Sequence, residues 1–147
     1  MKIREFTEKD TEAITSLMKN LCLLRGQEFD EQRWRFSLQE QLNKNTNAQI
    51  LVAFDDNNNS LVAMGKCSIM NSENGIRFGY ITNLIVKEES RRLGIGEELM
   101  RHMVDYLKQN HINSIRLALK HNIDKGAKIL FTKLGFKEVL DIYELTI

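Results

Sequence analysis

Apolar and polar positions along this chain follow two different periods, and the switches between them mark out the elements. Residues 2–6 alternate with period two, as a half-buried strand does. Thr7 then stands where an N-cap is expected, with Asp10 three residues on. Ala13, Ile14, Leu17, Met18 and Leu21 follow at helical spacing. Residues 30–43 predict a second helix. Residues 49–54 and 61–70 predict two strands joined by the turn run Asp55-Asp56-Asn57-Asn58-Asn59-Ser60. After another turn, residues 76–86 predict a long strand. Its last six residues, Ile81-Thr82-Asn83-Leu84-Ile85-Val86, are mostly apolar, as in a central strand covered on both faces. Ile95, Leu99, Met103 and Leu107 then lie on one helical stripe flanked by Met100 and Val104. Residues 114–119 predict a strand and residues 124–133 a helix stopped by Gly135. Residues 136–139 and 142–147 predict two closing strands.

The order is strand, two helices, a three-strand meander, then strand-helix-strand-helix-strand. It predicts a mixed α/β fold, read as one domain over residues 1–147. There is no internal repeat and no linker. The 21 basic and 20 acidic residues leave a net charge of +1, which removes the bulk electrostatic case for a nucleic-acid or membrane-surface protein. No stretch approaches the ~18 apolar residues of a membrane span, and no signal-peptide core follows Met1. Cys22 and Cys67 lie far apart, with no paired spacing and no His pair, so neither a zinc site nor a disulfide framework is expected. Two buried, reduced thiols suit a cytoplasmic location.

The chemistry is concentrated in one connection. A strand leads through a short polar link into Arg91-Arg92-Leu93-Gly94-Ile95-Gly96 and an amphipathic helix. A helix N-terminus presents unpaired N–H groups and about half a positive charge. Glycines there let a bound anion approach the backbone, and two arginines add cationic donors. This is a site for a phosphate or diphosphate. Leu99 stands where the dinucleotide fingerprint needs a third Gly, and the Gly-Lys-Ser/Thr of the Walker loop does not occur. Glycines that merely relieve crowding are the competing reading.

These residues resemble the GNAT superfamily of acyl-CoA-dependent N-acetyltransferases. Its pattern is Arg or Gln, two residues, Gly, one residue, then Gly or Ala, matched by Arg91, Gly94 and Gly96. Residues 127–136, ending Lys133-Leu134-Gly135-Phe136, are similar to the family's second motif. The element order is similar over nearly the whole chain. The resemblance implies a mixed, mostly antiparallel central sheet flanked by about four helices, with acetyl-CoA as cosubstrate. It implies that Arg91, Arg92, Leu93, Gly94, Ile95, Gly96 and Glu97 hold the CoA diphosphate. Leu84, Ile85 and Val86 would pair with the pantetheine arm, one N–H polarising the thioester carbonyl. Asn122, Asp124 and Phe131 would also line the cofactor site. The implied activity is acetyl transfer to a primary amine, on a small molecule or a peptide, by direct attack in a ternary complex. The chain would be a monomer or a homodimer, with no metal, nucleic acid or membrane as partner. Valine at position 94 or 96 would be expected to collide with the diphosphate.

Two positions depart from the family pattern. Phe131 stands where many relatives carry a Tyr proposed as general acid, and Thr82 near where some place a Glu as base. A thiol of pKa about 8.5 leaves without much help, but an alkyl ammonium near 10.4 must lose its proton before attack. His121, just after the fifth strand, and Tyr80 are the candidate catalytic groups, with Glu73 and Glu28 as further bases. An acyl-CoA-binding regulatory module with little or no catalysis is the alternative. Phe29, Trp34 and Phe36 lie where the family builds its acceptor wall, though core packing is the simpler expectation for Trp34 and Phe36. The near-neutral total conceals a split. Residues 108–137 carry seven cations and one anion, a net +6, leaving −5 for the rest. That suits a polyanionic donor on one side and a cationic amine on the other.

Overall fold

The computed structural model describes residues 1–119 and 125–147. Its elements are β1 (Lys2–Glu5), α1 (Thr11–Leu24), α2 (Glu31–Leu42), β2 (Ala48–Phe54), β3 (Leu61–Asn71), β4 (Arg77–Val86), α3 (Ile95–Gln109), β5 (Ile115–Leu117) and α4 (Lys125–Lys133). Five strands form one sheet in sequence order. All pairs are antiparallel except β4 with β5, which is parallel. The mixed α/β order expected from the pattern, and the mostly antiparallel sheet with four helices that the family resemblance implies, are therefore present.

The sheet has a helical layer on each face. Ile14, Leu17, Met18 and Cys22 of α1 and Leu38 of α2 pack with Ile50, Val52, Met64 and Ile85. On the other face, Ile95, Leu99, Met100, Met103 and Leu107 of α3 pack with Leu51, Ala53, Cys67, Ile81 and Phe131. The stripe read along α3 is thus the buried one. The turn before α1 is held by Asp10. Its carboxylate accepts from the Thr7 amide at 2.8 Å and from the Arg4 guanidinium at 2.7 and 3.0 Å. Asp30 caps α2 by accepting from the Arg33 amide at 3.0 Å. Among the described residues no helix is long and apolar enough to cross a membrane.

Three expectations need correction. Residues 136–147, expected as two closing strands, pair with no described strand. Val139, Leu140, Ile142, Tyr143, Leu145 and Ile147 are all exposed. Their apolar pattern survives, but a strand also needs a hydrogen-bonding partner. β5 spans three residues rather than six. Phe36, expected in the core, is 64% exposed, because the buried stripe of α2 runs through Leu38 and Gln41 instead.

β4 carries an irregularity that positions everything below. Lys66 of β3 faces Thr82, and Met64 faces Ile85, so Asn83 and Leu84 together stand opposite Gly65. Asn83 takes a left-handed backbone, φ +54°, which Asn tolerates better than most residues. One extra residue in a strand flips its alternation. Ile81 accordingly packs under α3, whereas Ile85, four residues on, packs under α1.

Candidate functional site

Past β4 the chain makes a 3-10 turn over Glu88–Ser90 and reaches α3 through Arg91, Arg92, Leu93 and Gly94. Gly94 is the N-cap residue of α3, at φ +79°, a conformation that costs other residues roughly 1–2 kcal/mol. The Arg91 amide bonds to the Glu88 carbonyl at 3.2 Å, and the Glu98 amide to that of Gly94 at 3.1 Å. Between them, the amides of residues 92–97 have no acceptor among the described residues. Six free N–H groups thus gather at the positive end of a 15-residue helix. No heavy atom lies within 4 Å of where a Gly94 side chain would begin, so the space over the loop is open. A diphosphate fits this donor set.

The side chains divide the work. Arg91 Nε donates to the Val86 carbonyl at 3.2 Å, bracing the loop against the end of β4. Arg92 is exposed and meets no carboxylate among the described residues. Glu97 lies in the first turn, where its charge would repel an anion. It is held by Arg101 at 2.8 Å and by Lys133 of α4 at 3.1 Å. These bonds, Arg101's first, keep its carboxyl below the usual range and offset its charge. Gly96 has a different task. A Cβ there would meet Leu130 and Val86 at 3.7 Å. A side chain at position 96 would therefore begin at ordinary contact distance from the packing of α3 against α4 and β4.

From this loop an open backbone leads back along β4. β5 pairs only with Gly79, Tyr80 and Ile81. Beyond them, the β4 edge facing β5 is unpaired among the described residues from Thr82 to Val86. Leu84 and Val86 are half-buried against the α3 layer and Ile85 is buried in the other. Asn83 then borders a hollow of about 290 Å³, walled by Met18, Phe29, Asp30, Arg33, Trp34 and Ser37. Trp34 is fixed there, donating its Nε1–H to Thr15 Oγ1 at 3.0 Å, with the Phe29 ring 6.3 Å away. Loop, open edge, bulge and hollow form one continuous track.

The remaining candidates separate. Tyr80 is half-buried on β4 and, by alternation from Ile81, faces the α1–α2 layer with Thr82. Phe131 is 8% exposed and packs edge-on against Phe136, ring centroids 5.9 Å apart. Glu73 lies in the β3–β4 turn, at the opposite end of β4 from the glycine loop, and Glu28 is exposed before α2. His121, Asn122 and Asp124 lie outside the described residues. The sequence reading missed Asn83. Its signal was a lone left-hand-tolerant Asn inside an apolar strand run.

Comparison with known proteins bears on the whole track. Residues 14–136 match the model of the acetyltransferase (GNAT) family. GCN5-related N-acetyltransferase 6, chloroplastic, from Arabidopsis thaliana is 36% identical over 73 residues, which are half of this chain and only a quarter of that protein. A predicted acetyltransferase from Clostridium acetobutylicum, solved with acetyl-CoA, superposes with a TM-score of 0.80 at 22% identity, over 99% of this chain and 95% of that one. The aminoglycoside 6'-N-acetyltransferase of Acinetobacter haemolyticus does so with a TM-score of 0.81 at 20% identity, over 100% and 98%. With its family match spanning β2 to β5, the glycine loop and α4, this chain belongs to the GNAT family of acetyltransferases.

Proposed function

We propose that the protein moves an acetyl group from acetyl-CoA to a primary amine by direct attack within a ternary complex. The observation that carries this reading is the set of six acceptor-less amides at residues 92–97, continuous with the unpaired edge of β4. The amides and Arg92 take the diphosphate of acetyl-CoA. The backbone of Leu84, Ile85 and Val86 takes the pantetheine arm, and an N–H at the bulge donates to the thioester oxygen as negative charge develops there.

The amine enters from the hollow beside Asn83 and Trp34. Its nitrogen attacks the carbonyl carbon, a C–N bond forms, the C–S bond breaks, and CoA leaves as a thiolate. The proton lost by the nitrogen passes to a base, for which His121 is the candidate, and the thiolate takes one up from water or from Tyr80. Phe131 cannot donate that proton, and its burial supports departure without an acid at that position.

The same burial favours the second reading, an acyl-CoA-binding module with little turnover. One experiment separates them. Calorimetry with CoA is combined with a thiol-release assay using acetyl-CoA and a panel of alkylamines, amino sugars and lysine peptides. We expect CoA binding and amine-dependent release. Binding without release on any amine supports the module, and absence of CoA binding overturns both.

A further inference from the structure

The hollow beside the bulge keeps one charge without a partner. Two arginines of α2, two residues apart, are treated differently. Arg35 is paired twice, donating to Glu12 at 2.8 and 3.0 Å and to Glu31 at 3.1 Å. Arg33 lines the hollow, is exposed, and its guanidinium meets no carboxylate among the described residues. Asp30, on the same wall, is already engaged. It caps α2 by accepting from the Arg33 amide at 3.0 Å, so its charge is met there by the positive end of the helix. The uncommitted charge of this wall is therefore positive.

The rest of the wall is apolar. Met18 comes from α1, and the Phe29 and Trp34 rings stand 6.3 Å apart at 56°. Trp34 is held in place, because its Nε1–H is spent on the hydroxyl of the buried Thr15. Such a lining takes a flat apolar group. About 290 Å³ is at the small end of ligand sites, with room for one ring and short substituents. Asn83 borders the hollow from the sheet and Arg33 from the helix layer. An acceptor with its nitrogen at the bulge thus meets the guanidinium with its other end. A guanidinium is a planar fork that fits a carboxylate through two parallel hydrogen bonds. With acetyl transfer at this site as the premise on which this rests, we infer that the acceptor is an amine with a flat apolar body and a carboxylate remote from its nitrogen, selected by Arg33.

The test compares three benzylamines in the thiol-release assay with acetyl-CoA: para-(aminomethyl)benzoate, its neutral isostere para-(aminomethyl)benzamide, and the diamine para-xylylenediamine. Wild type, Arg33→Gln and Arg33→Lys are assayed, and calorimetry with CoA checks that each variant keeps its fold. We expect the wild-type kcat/KM to be about tenfold higher for the benzoate than for the benzamide, carried by KM. The ratio should fall to about one in Arg33→Gln and take an intermediate value in Arg33→Lys, which keeps the charge without the fork. Benzamide or diamine turned over as well as the benzoate, or a ratio that survives Arg33→Gln, overturns the inference and leaves acetyl transfer standing. Release with other amines but with none of these three does the same. No release with any amine, or no CoA binding, overturns the premise as well.

Discussion

Gly94 and Gly96 lie two residues apart in one motif, and alanine at each should have opposite effects on stability. At Gly94 the backbone sits at φ +79° with nothing near the position of a new Cβ. The cost of Gly94→Ala is therefore conformational, roughly 1–2 kcal/mol. For a chain of this length that corresponds to a fall in Tm of about 3–6 °C. At Gly96 the backbone is helical and the new methyl would rest 3.7 Å from Leu130 and Val86, an ordinary contact. Removing a glycine from a helix gains about 0.5–1 kcal/mol, so Gly96→Ala should hold or raise Tm by about 2–3 °C. Gly94→Asn serves as control, since Asn tolerates the left-handed region, and should lose less than Gly94→Ala. Differential scanning calorimetry of the three variants measures the contrast. CoA titration should show Gly94→Ala weakened and Gly96→Ala near wild type. Equal changes of Tm for the two alanine variants would refute the division between a conformational and a packing glycine.

Three further outcomes follow from the geometry. Burial alone would raise the Asp10 carboxyl, but Arg4 and the Thr7 amide outweigh it and hold it below the usual range. That stability is present above the unfolded carboxylate value of about 3.9 and is lost as pH falls through the lower folded value. Arg4→Ala should cost about 2–3 kcal/mol at pH 7, under the figure for a fully buried pair because Arg4 keeps 33% of its side chain exposed. Denaturation across pH 3 to 7 should show the deficit shrinking as acid protonates Asp10, with a residue left from the lost stacking on Phe54. Burial pushes the Cys67 thiol up to about 12, so iodoacetamide at pH 8 should leave it unmodified in mass spectra until the protein unfolds, and fast labelling would contradict its burial. Lys133→Gln removes one of the two cations on Glu97. CoA affinity should fall several-fold at low salt and by less at high salt, and an unchanged affinity would remove the diphosphate from this loop.

Different parts of the molecule were legible in the sequence to different depths. The α3 stripe was plain, because fifteen residues of unbroken helical period allow only one buried face. The glycine loop was readable because Gly94 has a backbone task no other residue performs cheaply. The bulge was not, since it exists only in the register between β3 and β4, and no single strand displays its partner's numbering. For the same reason residues 136–147 read as strands. Alternation records which side chains share a face, not whether a neighbour supplies the hydrogen bonds. Phe36 misled through its residue type, because the face of α2 that meets the sheet is set by Leu38 and Gln41.

The bulge also fixes how this protein tolerates changes of length. Deleting Asn83 would restore the plain pleat of β4. Leu84, Ile85 and Val86 would keep both their faces and their register with β3, because Asn83 is the residue left over opposite Gly65, so the two layers stay packed and only the bulge beside the hollow is lost. A deletion among Asn57, Asn58 and Asn59, in the turn between β2 and β3, disturbs no layer at all. Insertions and deletions should therefore accumulate in that turn across descendants of this chain, while β4 can lose a residue without exchanging its layers only at the bulge.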